Sequence, residues 1–222
     1  MSAASEYEFE PVRGLPARLP DGETMLWQGE PRTAALARRA FHVPTVAIYF
    51  GVLVAWRAIA AVADREPLGQ AVTGTLLIAA LAAGAIGLLA LLAWLIARTT
   101  VYTITNRRVV VRFGIALPMT VNFPFSRIES AALRTYADGT GDLPIALVPG
   151  ERLSYLIMWP HVRPWRIARP EPMLRGIPAA GHAAEILSRA LAAAAGIAPM
   201  RAPAAVPDGQ HATPQPLATA AR

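Results

Sequence analysis

Two stretches, VPTVAIYFGVLVAWRAIAAVA at residues 43–63 and AVTGTLLIAALAAGAIGLLALLAWLIA at residues 71–97, decide the fold. Crossing a hydrocarbon core about 30 Å thick takes roughly 20 helical residues at about 1.5 Å of rise each, and either stretch is long enough. The link between them opens with Asp64-Arg65-Glu66-Pro67 and is too short to fold alone, so the sequence predicts an antiparallel transmembrane hairpin. Arg32, Arg38 and Arg39 precede the first stretch and Arg98, Arg107 and Arg108 follow the second, whereas the link opens with one arginine between two acids. Arginine stays on the cytoplasmic side, which puts both termini there. The 42 residues ahead of the first span are mostly polar, with six acidic and five basic groups. That is unlike a cleavable signal peptide, so both spans are expected to be retained.

Small residues recur at four-residue spacing within the spans: Ala47, Gly51 and Ala55 in the first, Ala80 with Gly84 and Ala83 with Gly87 in the second. Such rows let helices approach closely, against each other or a partner, although an alanine-rich span also produces them by chance. Arg57 is the one charge inside a span, about 10 Å from the non-cytoplasmic end. It can snorkel to that interface, or meet a carboxylate or pigment carbonyl of a membrane partner.

The rest of the 222 residues suffices for one small domain. Cysteine is absent, which excludes disulfides, thiolate nucleophiles and iron–sulfur sites. Every basic residue is arginine, and the +6 excess suits anionic headgroups or an acidic protein patch ahead of nucleic acid.

From Thr99 the pattern becomes alternating, rich in β-branched and aromatic residues. Tyr102 with Ile104, then Val109, Val111 and Phe113, then Val121, Phe123 and Phe125 mark three strands, the first two joined by Asn106-Arg107. Asp138-Gly139 signals a hairpin because both residues tolerate positive φ. A strand is expected at 143–148 and a further extended stretch at 153–159 after Pro149-Gly150. Pro160, Pro164, Pro170 and Pro172 then impose a loop. Residues 179–195 read as a helix with Ile186, Leu187 and Leu191 on one side, ending at Gly196. Ahead of the spans, LWQG at 26–29 reads as a strand that completes the later sheet, followed by a basic helical stub at 32–40 with Pro31 at its first turn. The expected organisation is a cytoplasmic segment at 1–42 with a strand near 23–29, the hairpin at 43–97, an α+β roll at 98–196, and a disordered Ala/Pro-rich tail at 197–222.

YTITNRRVVVRFG at 102–114, continued by PFSRIES at 124–130, resembles the bacterial pleckstrin-homology domains found beside paired membrane spans. FEPVRGLP at 9–16, LWQG at 26–29, DGTGD at 138–142 and above all WPHVRPWRIARPEPMLR at 159–175 narrow the resemblance to the PuhB family, the photosynthetic reaction-centre assembly proteins of purple bacteria. The similarity runs from about residue 9 to 191. It implies a multi-pass protein of the bacterial inner (intracytoplasmic) membrane, homodimeric, helping to assemble the reaction centre and its light-harvesting partner. The implied partners are reaction-centre subunits or other photosynthetic assembly factors.

No catalytic constellation is visible, and the chain is not expected to be an enzyme. His42, His161, His182 and His211 fall at a span boundary, a proline loop, a helix and the tail, none at metal-ligand spacing. Gly139-Thr-Gly141 lies between strand patterns without a following helix, which is a hairpin and no phosphate cradle. His42 could ligate the magnesium of a bacteriochlorophyll, but Mg²⁺ prefers oxygen and one imidazole makes no site, so a polar cap at the bilayer edge is favoured. The best candidate surface is Trp159, His161, Arg163, Trp165, Arg166, Arg169 and Arg175. Guanidinium forks bind anions and indoles favour interfaces, so this mixture suits acidic loops or membrane lipids, whereas a solvated basic loop whose tryptophans cover the sheet edge is the plain alternative. Single-stranded nucleic acid is a weak third reading for a membrane-tethered loop, and no nucleic-acid partner is expected. The reading is therefore a non-catalytic assembly factor, with a lipid-binding membrane organiser or a bacteriochlorophyll carrier as alternatives.

Overall fold

The computed structural model describes residues 13–15, 17–151 and 153–196. The tail expected to be disordered, 197–222, lies outside the described residues, as do the first 12 of the N-terminal segment.

Three helices lead in: α1 (Thr33–Arg39), α2 (Val43–Ala63) and α3 (Leu68–Thr99). The last two are each long and apolar enough to cross a membrane. Two-thirds of the Trp56, Ile59 and Leu76 side-chain surface, or nearly so, is left open by the rest of the chain. α3 is longer than its apolar stretch because it runs from Pro67, its N-terminal boundary, without a proline until after Thr99: Leu68-Gly-Gln70 precede the apolar run and Arg98-Thr99 follow it. At about 1.5 Å per residue its 32 residues reach about 48 Å, more than a bilayer core needs. The surplus is used at its C-terminal end, where Ala93 and Ala97 are buried against Leu36 of α1 and Phe41.

The small-residue rows could serve the neighbouring helix or a partner, and at the glycines the first does not occur. Gly51, Gly84 and Gly87 do not form the seam between α2 and α3, since a Cβ added at any of them would meet nothing within 4 Å. The glycine that serves close approach is Gly74, where a Cβ would fall 2.6 Å from Arg57 Nη2. Arg57 finds its carboxylate within its own chain: Nη2 donates to Glu66 Oε2 at 2.6 Å.

The β half forms two antiparallel sheets. One has the order β1-β2-β3-β4, from β1 (Met25–Gly29), β2 (Val101–Thr105), β3 (Arg108–Phe113) and β4 (Met119–Pro124). Phe125 starts a 3₁₀ turn (Phe125–Arg127) instead of extending the last strand. β1 pairs with β2 across the helical insertion, with Trp27 opposite Ile104 and Gly29 opposite Tyr102. Asn106 fastens this join, donating from Nδ2 to Gly22 O and accepting from Thr24 N–H. Arg108 adds a two-pronged bond to the buried Glu23 carboxylate at 2.8 and 3.0 Å.

In the second sheet β7 (Thr140–Leu147) is central. It pairs with β5 (Ile128–Ala131) and β6 (Arg134–Thr135) along one edge and with β8 (Met173–Pro178) along the other. β8 was not anticipated, and it occupies the edge that an extended stretch at 153–159 would have needed. That stretch instead contains a single helical turn, α4 (Tyr155–Met158), which buries Met158. α5 (Ala180–Ala194) closes the roll, placing Ala183, Leu187 and Ala190 against Ile104, Leu143 and Ile177 in one apolar core.

Candidate interaction surface

The loop at 160–172 leaves the core at His161, which is buried instead of presented at the surface as expected. Tyr102 Oη lies 2.7 Å from His161 Nδ1, Thr100 Oγ1 lies 3.1 Å from Nε2, and Arg175 N–H donates to Tyr102 Oη at 3.1 Å. Burial raises the pKa of Tyr102, so the phenol keeps its proton and needs an acceptor; Nδ1 is in reach, which leaves Nε2–H to donate to Thr100. Burial, reinforced by the Arg175 charge, pulls the His161 pKa down to about 3, and the ring is neutral at physiological pH. His161 also holds the backbone, donating N–H to Met158 O and accepting at its carbonyl from Met173 N–H. It is a structural pin, not a contact residue.

Arg175 is likewise buried, which corrects its assignment to the surface. Its guanidinium donates to Pro160 O at 3.1 Å and to Arg39 O at 3.2 Å, while Nε finds no partner among the described residues. It therefore ties the start of the loop to the end of α1.

A second tie runs alongside. Arg39 donates to Asp138 Oδ2 at 2.6 Å and Thr140 Oγ1 at 2.7 Å, and its guanidinium carbon sits 3.4 Å from the centre of the Tyr136 ring. Asp138 also accepts from the Thr140 hydroxyl and N–H, and these bonds, then that from Arg39, hold its carboxyl well below the ordinary range. Asp142 joins the strands from inside: Oδ1 accepts Gly176 N–H and Oδ2 accepts Tyr136 O–H, both at 2.7 Å. α1 touches β8 at Gly176, whose carbonyl accepts Arg32 N–H.

On this base the remaining loop residues stand outward. Trp165 has φ +65° and is 92 % exposed. Arg163 and Arg166 share Glu171, at 2.8 and 3.4 Å, and Arg163 N–H donates to Glu171 O, so the arginines are braced from below. Arg169 is exposed beside them. Trp159 stands apart, half exposed, meeting Phe41 edge-on at 5.3 Å between ring centroids. Sequence reasoning missed Phe41, Arg39, Asp138 and Gly176 as parts of this assembly. Only DGTGD at 138–142 was visible, and as a turn.

His42 caps the start of α2 in the left-handed region, exposed and without a side-chain capping bond. Among the described residues no group of three or more His, Asp or Glu converges on a point that could hold a metal.

These features define a PH-like roll interrupted by an apolar helical hairpin and carrying one braced basic loop. The sequence matches the bacterial PH domain family over residues 39–191, and the chain belongs to that family. It is also 39 % identical over 186 residues to a Rhodobacter capsulatus protein described as an uncharacterised 23.7 kDa protein in the puhA 5′ region, covering 83 % of this chain and 87 % of the relative. No solved structure matches it significantly.

Proposed function

We propose that the protein is a non-catalytic assembly factor of the bacterial inner membrane, with both termini in the cytoplasm. Its hairpin docks beside the helices of a photosynthetic client while the braced loop holds that client's cytoplasmic face during assembly. The observation that carries this reading is Trp165, an indole 92 % exposed on a loop whose base is locked by His161 and Arg175. A rigidly presented indole ringed by guanidinium groups is what an interface hot spot requires. The photosynthetic client is supported by the gene position in the relative's description and by the resemblance of residues 159–175 to reaction-centre assembly proteins. The glycine rows around Gly51 and Gly87 are open for a second copy or for client helices.

The test is co-purification of reaction-centre polypeptides from photosynthetically growing cells after mild solubilisation, wild type against Trp165→Ala. Loss of a hot-spot tryptophan costs about 2 kcal/mol or more of binding, which is roughly thirtyfold in affinity. The variant should melt like wild type and retain little client. Early melting with undiminished client would make Trp165 a cover for the roll instead.

A further inference from the structure

Among the exposed apolar side chains that the reading above does not use, two projections stand near the helical hairpin. One is the turn between β3 and β4, where Leu117 is 79 % exposed and Ile115 is also open. The other is α4, where Leu156 is 84 % exposed beside the open Ile157. Neither is part of the apolar core or packed against it.

Their positions relative to the apolar helices are fixed by contacts. Trp159 directly follows α4 and meets Phe41 edge-on, one residue ahead of the α2 cap His42. α4 therefore sits where α2 begins. β2 starts at Val101, just after α3 ends, and Val101 is opposite Arg112, so β3 runs back toward the end of α3 before its turn projects beyond. Phe113, the last residue of β3, lies 5.5 Å from the His161 ring, two residues from Trp159, which brings the two projections to one side of the roll. Trp94, with Arg98 stacked on it at 4.9 Å, marks the same region on the last turns of α3.

We propose that Ile115 and Leu117 on one projection, and Leu156 and Ile157 on the other, insert into the interfacial layer of the leaflet from which α2 and α3 emerge, seating the roll on the bilayer. This rests on the hairpin spanning the membrane. The occupant is that bilayer because the chain's own helices place it there. Apolar side chains flanked by tryptophan and arginine suit the boundary between headgroups and acyl chains. The roll is then held in one orientation, with the loop around Trp165 presented to neighbours in the same membrane.

The absence of cysteine allows a clean test. Full-length single-cysteine variants Leu117→Cys, Leu156→Cys, Ile59→Cys and Arg189→Cys are labelled with an environment-sensitive fluorophore and reconstituted into phosphatidylethanolamine–phosphatidylglycerol vesicles carrying nitroxide lipids. Arg189 is the distant control, sharing a surface groove with Asn106 at the far turn of the β2–β3 hairpin. Probes at 117 and 156 should be blue-shifted and quenched most by a shallow nitroxide, the probe at 59, about 6 Å inside the non-cytoplasmic end of α2, by nitroxides at either depth, and the probe at 189 by neither. Adding Ile115→Asp should remove the quenching at 117 while circular dichroism stays unchanged. If 59 is quenched but 117 and 156 remain in water, the seating is wrong and the anchor stands. If 59 is not quenched either, the membrane-spanning reading itself fails. Shielding of 117 and 156 that needs added reaction-centre complex would assign the projections to a protein partner and overturn the lipid proposal.

Discussion

His161 makes the roll sensitive to acid in a defined window. Its pKa is about 3 in the folded chain against an ordinary 6.5, so the unfolded chain binds more protons between those values. The contribution of the neutral ring is fully present above pH 6.5 and is lost progressively as pH falls toward 3. Asp138 acts lower on the scale: its depressed carboxyl stabilises above its ordinary 3.8, so its share is lost only as pH drops below that. Thermal melting of the detergent-solubilised protein should therefore fall between pH 7 and 4. His161→Gln, destabilised at neutral pH, should show a flatter profile over that interval. An equally steep decline in the variant would move the acid sensitivity elsewhere. The sequence revealed this histidine but not its role, because the phenol and hydroxyl that receive it, on Tyr102 and Thr100, are about 60 positions away.

At the level of elements, the fold depends on how α1 meets β8. Gly176 has φ +62°, and a Cβ there would stand 2.9 Å from Ala35 Cβ, closer than side-chain carbons approach. Gly176→Ala thus adds a left-handed alanine to a steric conflict and forces α1 away from the sheet, loosening Arg32 N–H from the Gly176 carbonyl. A cost of about 1–3 kcal/mol follows, read as a lower denaturation midpoint with unchanged slope. Alanine at Gly139, where a Cβ would meet nothing, suffers only the backbone strain and should cost less. β8 itself was illegible for a physical reason. MLRGI at 173–177 is buried on both faces, so it lacks alternation, and prolines bound it at 172 and 178. β2 and β3 were recognised from β-branched runs joined by Asn106-Arg107. α4 was misread because LSYLIMW at 153–159 is apolar enough for a strand and too short for periodicity to decide.

For the whole molecule, the separation of LWQG at 26–29 from its partner strand by the apolar helices constrains topology. β1 pairs with β2, so the segments before α2 and after α3 fold as one body on one side of whatever the helices cross. Strand pairing in the structure requires this, and the arginines flanking both outer ends of the hairpin favour the same arrangement. A reporter active only in the periplasm should work when inserted at Arg65, in the exposed link between α2 and α3, and fail at Ala137, in the hairpin that Asp138 ties to α1. A cytoplasmic reporter should give the reverse pattern. Activity of the periplasmic reporter at both sites would demand that the β1–β2 ladder be broken, since residues 25–29 and 101–105 cannot pair across a bilayer. Glu23→Ala discriminates further. Removing the two-pronged bond to Arg108 should weaken the join of β1 without altering which side either reporter reports, because orientation is set by the arginines flanking the helices and not by the sheet.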